Sequence, residues 1–255
     1  MGWVFLAVRE VDRERVALKV MRQRLLGDEP SRRRFLREAG AAAQIRHEHL
    51  VPVLDAGEAD GRPYLVMRHV DGRTVEQRIA EAGPLPIPDV SRLVAETAAA
   101  LAAVHRHGLV HRDVKTSNVM LARDGAAALT DFGLAKGAGY STVTTPGQML
   151  GTLDYLAPEL IRGEPATPSS DLYALGCVAF ECISGQPPFA GRGMFALGMA
   201  HLDEAPGDPC AQRPDAPPGY GPAIVRALAK DPAARPPSPM AFARLLQAAG
   251  NPDSS

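Results

Sequence analysis

Near residue 72 the chain changes its pattern, and that change limits the folds open to it. Before it, β-favouring residues come in short runs, Val4–Val8, Val16–Met21, Val51–Asp55 and Tyr64–Val70. Charged or Gly-containing turns, Glu10–Arg15 and Ala59-Asp60-Gly61-Arg62, separate them. One helix interrupts the runs, from Ser31 as N-cap to Ile45, with Phe35, Ala39, Ala42 and Ala43 on one face. After residue 72 the period is helical. Asp89–His107 places Leu93, Thr97, Leu101 and Val104 on one face and stops at Gly108, a residue suited to the left-handed turn after a helix. Further helices are expected at 170–184, 193–201, 221–229 and 238–248. The expected architecture is α+β: a small β-rich lobe over residues 1–70 and a larger helical lobe over 71–250. The Pro-rich stretch 206–222 reads as an ordered loop and residues 251–255 as a frayed tail.

At 255 residues the chain can bury a sizeable core. A formal net charge of −1 argues against a surface built for nucleic acid, so no nucleic-acid partner is expected. The local cluster Arg22, Arg24, Arg32, Arg33, Arg34 and Arg37 reads as the solvated face of a helix, with a docking patch for an acidic partner as the alternative. Three cysteines fit a reducing compartment. Cys177 and Cys182, five apart in an expected helix, face away from each other. The most apolar stretch, LYALGCVAFECI (172–183), is too short for a membrane span and carries Glu181. With no leader pattern at the N-terminus, a cytoplasmic chain is expected.

The chemistry concentrates in residues 111–131. Asp124-Gly125 is a two-residue hairpin signal between the apolar runs Val119–Ala122 and Ala127–Thr130. A two-residue loop pairs 118 with 131, which makes Asn118 and Asp131 cross-strand neighbours. Their oxygens suit one hard cation, although an ordinary hairpin with polar ends reads equally well from these residues alone. Asp113 adds a second carboxylate five residues before Asn118, and Lys115 a cation two residues after it. A carboxylate to accept a hydroxyl proton, a cation for a moving phosphate and two metal ligands make up the parts of a phosphoryl-transfer site.

HRDVKTSN (111–118) with DFG (131–133) resembles the catalytic core of a protein kinase. VALK (16–19), LAPE (156–159), DLYALG (171–176), GQPPF (185–189) and KDPAARP (230–236) follow in the family's order, over essentially residues 2–248. The wording PYLVMRHVDG is similar to the bacterial, eukaryotic-like (Hanks-type) subset, and Lys115 with Thr152 implies serine/threonine rather than tyrosine substrates. The resemblance implies a two-lobed kinase fold, ATP and Mg2+ (or Mn2+ in its place) as cofactors, and protein substrates. It implies Asp113 as proton acceptor, with Lys115 and Asn118 beside it, and Asn118 and Asp131 as metal ligands. Lys19 is implied to hold the nucleotide phosphates, on a face shared with Ala17 and Met21, and to pair with Glu38. Met67 is the implied gatekeeper, the backbones of Arg68 and Val70 bond adenine, and Ala17 and Met120 sandwich the base. Thr152, within GTLDYLAPE (151–159), belongs to substrate docking. Glu159, Asp171 and Arg235 are structural, with Glu159 pairing Arg235.

Regulation is expected through Arg112, which can receive a phosphate placed between Asp131 and Glu159. In GYSTVTTPG the candidates are Ser141, Thr142, Thr144 and Thr145, with Thr144 first and Thr145 next, and a second copy of the chain is a candidate partner for autophosphorylation in trans. MGWVFLAV resembles only the second half of the family's glycine-rich loop: Gly2 is its last glycine and Val4 lies over adenine. A first strand and leading glycines are expected upstream of this start. Without them the strand at 4–8 becomes a sheet edge, and the alternative reading is a weak or inactive kinase-like scaffold.

Overall fold

The computed structural model describes residues 3–21, 29–132 and 153–250. The N-terminal part holds β1 (Trp3–Val8), β2 (Arg15–Val20), α1 (Glu29–Ala42), β3 (Val53–Ala59) and β4 (Arg62–Arg68). The strands form one antiparallel sheet in the order β1-β2-β4-β3. Its register sets Val4 opposite Lys19 and Ala17 opposite Met67. β1 is an edge, and Trp3, Val4, Phe5, Leu6 and Val8 are all exposed. α1 packs against β3 and buries Phe35, Ala39 and Ala42, as its period predicts.

Local chemistry moved three expected boundaries. α1 begins two residues before Ser31, because Pro30, with its fixed φ and missing N–H, suits the first helical turn. It ends at Ala42, and 3-10-like bonds such as Ile45 N–H to the Ala42 carbonyl carry the chain out. The β3–β4 hairpin turns at Ala59-Asp60-Gly61-Arg62 as expected, but its strands run up to the outer residues of that turn. Ala59 pairs with Arg62, and the loop is Asp60-Gly61 alone, both with positive φ (51° and 70°), as a type I′ turn requires. Both strands consequently sit closer to the turn than the runs at 51–55 and 64–70 suggested.

The C-terminal part opens with β5 (Gly72–Thr74) and α2 (Val75–Ala82). Thr74 and Gln77 form a reciprocal capping box there, so the Thr-x-x-Gln spacing marked a helix that the periodicity alone did not. α3 (Ile87–Arg106) follows, then β6 (Val119–Ala122) and β7 (Ala127–Leu129), which join β5 in a small sheet of order β5-β6-β7. The remaining helices are α4 (Pro158–Ile161), α5 (Pro168–Ser184), α6 (Met194–Asp203), α7 (Tyr220–Ala227) and α8 (Pro239–Gly250). α3 packs on α5 and α8, and Leu93, Leu101, Leu172 and Leu175 are among the fully buried side chains there. Each stabilises by about 1.5–3 kcal/mol through loss of water contact. α5 is apolar because protein surrounds it on every side. No helix among the described residues is long and apolar enough to cross a membrane.

Candidate active site

Two residues beyond α3, Gly108 with its φ of 69° turns the chain back toward the sheet junction. The returning segment, His111–Asn118, is held from below by Asp171 in the first turn of α5. Asp171 Oδ2 accepts from the His111 N–H at 2.8 Å and lies 2.8 Å from His105 Nε2, while Oδ1 accepts from the Arg112 N–H at 2.8 Å. Arg112 has φ 66°, which a side chain with Cβ rarely adopts, and the bond to its N–H fixes that conformation. His111 is fully buried. Its Nε2 lies 3.1 Å from the Thr130 carbonyl and its ring 5.2 Å from that of Phe132. Burial lowers its pKa, so a neutral imidazole donating from Nε2 ties the loop to the segment that carries Asp131.

Asp113 emerges from this frame with 6% of its surface exposed. The Asn118 amide donates to the Asp113 main-chain carbonyl at 2.8 Å and to its Oδ2 at 2.9 Å. Lys115 Nζ stands 3.3 Å from the same Oδ2. With its amide nitrogen engaged, Asn118 has its side-chain oxygen to offer a cation. Asp131 lies across the hairpin, but not in the expected register. Val119 pairs with Leu129 and Leu121 with Ala127, so Asn118 faces Thr130, whose N–H donates to the Asn118 carbonyl at 2.9 Å. The loop has three residues, Arg123-Asp124-Gly125, because Gly125 takes the left-handed position that closes such a loop (φ 84°) and Asp124 Oδ1 accepts the Ala126 N–H. Asn118 and Asp131 therefore lie one residue off direct opposition.

The expected Lys19–Glu38 ion pair is replaced by two others. Lys19 Nζ meets Asp131 Oδ1 at 2.7 Å, and Glu38 meets the Arg112 guanidinium at 3.2–3.3 Å. Asp131, with φ 60°, projects straight at the lysine, whereas Glu38 on α1 accepts with both oxygens from Nη1 of Arg112. Lys19 thus comes to the same locus as Asp131, with Ala17 and Met67 behind it on neighbouring strands. Met67 is buried and its sulfur takes a 3.6 Å contact from the Thr130 hydroxyl. The Arg68 N–H donates to the Pro52 carbonyl at 3.0 Å, so any adenine bond at Arg68 must use its carbonyl. Val70 and Met120 are partly buried, and Val4 lies exposed on β1.

Glu159 and Arg235 form a buried bidentate pair, 2.8 Å on each side, with Ser170 donating to Glu159 at 2.8 Å. Burial pushes the Glu159 carboxyl up, but the Arg235 hydrogen bonds and charge outweigh it and leave the group below its ordinary value. A further buried chain was not anticipated. The Thr116 and Tyr155 hydroxyls lie 2.8 Å apart, and Tyr155 donates to Glu181 at 2.5 Å. It links the His111–Asn118 segment, the turn before α4 and the last turn of α5, and burial raises the Glu181 carboxyl. Its signal in the sequence was the single acid inside the apolar run 172–183. Gly2, Gly133, Ser141, Thr142, Thr144, Thr145, Thr152 and the tail 251–255 lie outside the described residues.

Residues 1–237 match the protein kinase domain family. The serine/threonine-protein kinase PknL of Mycobacterium tuberculosis is 43% identical over 156 residues, covering 61% of this chain and 39% of PknL. PknH of Mycobacterium bovis, a serine/threonine-protein kinase, is 36% identical over 232 residues, covering 91% of this chain and 39% of PknH. A probable serine/threonine-protein kinase, PknB of Lactococcus lactis, is 37% identical over 216 residues, covering 85% and 34%. The chain thus spans little more than a third of these relatives. The crystal structure of the Mycobacterium tuberculosis PknI kinase domain superposes with a TM-score of 0.79 at 33% identity, covering 98% of this chain and 91% of that one. With motif order, fold and relatives in agreement, the chain belongs to the protein kinase domain family, among its bacterial, eukaryotic-like serine/threonine kinases.

Proposed function

We propose that the chain transfers the γ-phosphate of ATP to serine or threonine hydroxyls of proteins, its own 133–152 segment among them, in cytoplasmic bacterial signalling. The observation that carries this reading is the junction of two pairs, Asn118 on Asp113 and Lys19 on Asp131, joined by the backbone bond between Asn118 and Thr130. The donor set fits a magnesium-bound nucleotide: an amide oxygen and a carboxylate for a hard cation, and an ammonium for phosphate. Asn118 and Asp131 would hold the metal, which when bound neutralises phosphate charge.

The protein's own groups divide the remaining work. Asp113 accepts the proton of the incoming hydroxyl as that oxygen bonds to phosphorus and the bond to the β-phosphate oxygen breaks, releasing ADP. Lys115, already beside Asp113, places a positive charge where charge builds on the moving phosphoryl group. Lys19 holds the nucleotide phosphates, which requires it to share or leave Asp131. The Met67–Val70 segment receives adenine between Ala17 and Met120, with Val4 above. Arg112 is the candidate acceptor for a phosphate on Thr144 or Thr145, an exchange that would release Glu38. Thr152 is proposed for substrate docking. The three free cysteines agree with a reducing compartment.

Radiolabelled ATP with magnesium and a generic protein substrate tests the reading. The chain should transfer label, Asp113→Ala should transfer about 10²–10⁴-fold less, and mass spectrometry of the active protein should place phosphate within residues 133–152. Equal incorporation by both proteins contradicts it.

A further inference from the structure

A second concavity lies away from the paired carboxylates, on the flank of the helical part. It is a cleft of about 530 Å³ between β5, α2, the start of α3 and the β6–β7 turn. This volume falls within the range of ligand-binding clefts. Its walls carry Arg73, Arg78, Arg92 and Arg123, one from each of these four elements, against Asp71 and Asp89. Leu85, Leu93 and Leu121 supply an apolar floor.

The guanidinium groups are held in ways that permit exchange. Arg123 pairs with Asp71 at 3.0 Å, Arg92 with Asp89 at 2.9 Å and Arg73 with Glu81 at 2.5 Å, all half-exposed or more. Surface pairs of this kind hold weakly, so an incoming carboxylate can take over a donor. Arg78 is partly buried and donates once, to the Gly83 carbonyl at 3.2 Å. Among the described residues no carboxylate pairs with it, and most of its donors point to no partner. The cleft therefore combines excess positive charge with an apolar base.

We infer that this cleft docks an acidic peptide stretch of a protein substrate, its carboxylates on Arg78 and Arg123 and an aliphatic side chain on Leu85 and Leu121. Asp71 and Asp89, set between the arginines, oppose one concentrated anionic charge and favour carboxylates spaced along a chain. Strand β6 links Asn118 to Arg123, so a peptide bound here is tethered about 16 Å along the chain from the catalytic segment, and tethering raises the local concentration of its target hydroxyl. The role as substrate dock rests on the kinase reading; the binding itself does not.

The experiment uses the whole chain and two fluorescein-labelled octapeptides, each with two leucines among six glutamates or six lysines. Anisotropy without ATP should show the glutamate peptide binding at least about tenfold more tightly than the lysine peptide. Arg78→Glu with Arg123→Glu should abolish that preference, while the control reversals Arg33→Glu with Arg162→Glu, equal in charge and exposed elsewhere, should retain it. Appending the glutamate stretch to a threonine substrate peptide should lower its KM several-fold in the parent and not in the double variant, with transfer to the short peptide unchanged. Equal binding of the two peptides, full affinity in the double variant, or displacement by RNA at lower charge concentration than by peptide overturns the inference. The anisotropy contrast without phosphate transfer to any peptide upholds the cleft and overturns the kinase reading instead.

Discussion

Arg235 and Arg112 each meet a glutamate across a long stretch of sequence, Glu159 in one case and Glu38 in the other, and the two pairs differ in nearly every physical respect. The first is sealed in the helical part, bidentate at 2.8 Å on each side, with Arg235 also bonded to the Ala229 and Ser169 carbonyls. The second is longer, 3.2–3.3 Å, and partly open to solvent at the junction of the two lobes. The lesson is one of division. The dry pair fastens α4 to the segment after α7, whereas the longer pair stands where α1 meets the segment that carries Asp113.

Breaking the two pairs separately should show the contrast. Arg235→Ala leaves Glu159 buried and unpaired, which costs about 3–5 kcal/mol, or about 6–20 °C in Tm for a domain of this size. Differential scanning fluorimetry reads this directly. Arg112→Ala breaks a longer pair that keeps some solvent contact and should lower Tm by less, so a drop comparable to that of Arg235→Ala would erase the distinction. Asp171→Ala belongs beside Arg235→Ala. It removes a carboxylate acceptor from two backbone N–H groups, at about 1.5–3 kcal/mol each, and should lower the transfer rate much more than nucleotide affinity, because the pair proposed to face nucleotide, Lys19–Asp131, is untouched.

A separate effect is expected on the acid limb of stability. His201 is buried against the Tyr173 hydroxyl at 2.8 Å, and burial, with the Lys230 charge, pushes its imidazole down to about 3. Its folded value lies below its unfolded value of about 6.5, so the unfolded chain binds more protons between these limits. The contribution is complete above pH 6.5 and is lost as pH falls toward 3. Melting curves across pH 7 to 4 should fall less steeply for His201→Asn than for the parent. Identical slopes would remove His201 from the acid response.

How much of this was legible followed from how local each signal is. The strands and helices declared themselves by period, and the candidate site residues by motif, because both are written within a few consecutive positions. The hairpin register was not. Gly125 can close a two- or a three-residue loop, and the choice depends on strand twist and on Asp124 bonding Ala126 rather than on residue type. Glu38 was misassigned to Lys19 because the choice between Lys19 and Arg112 depends on where α1 rests on the sheet, a long-range packing outcome. The chain Thr116–Tyr155–Glu181 joins three distant segments, and only the buried acid in 172–183 hinted at it.

The most direct test of the divided site separates binding from transfer in two substitutions. Asp113→Asn should bind magnesium-ATP within about twofold of the parent and transfer phosphate about 10²-fold or more slowly in a single turnover. Asp131→Asn should lose the dependence of nucleotide affinity on magnesium. Parental transfer by Asp113→Asn, or magnesium-dependent binding retained by Asp131→Asn, would contradict the assignment of these two carboxylates.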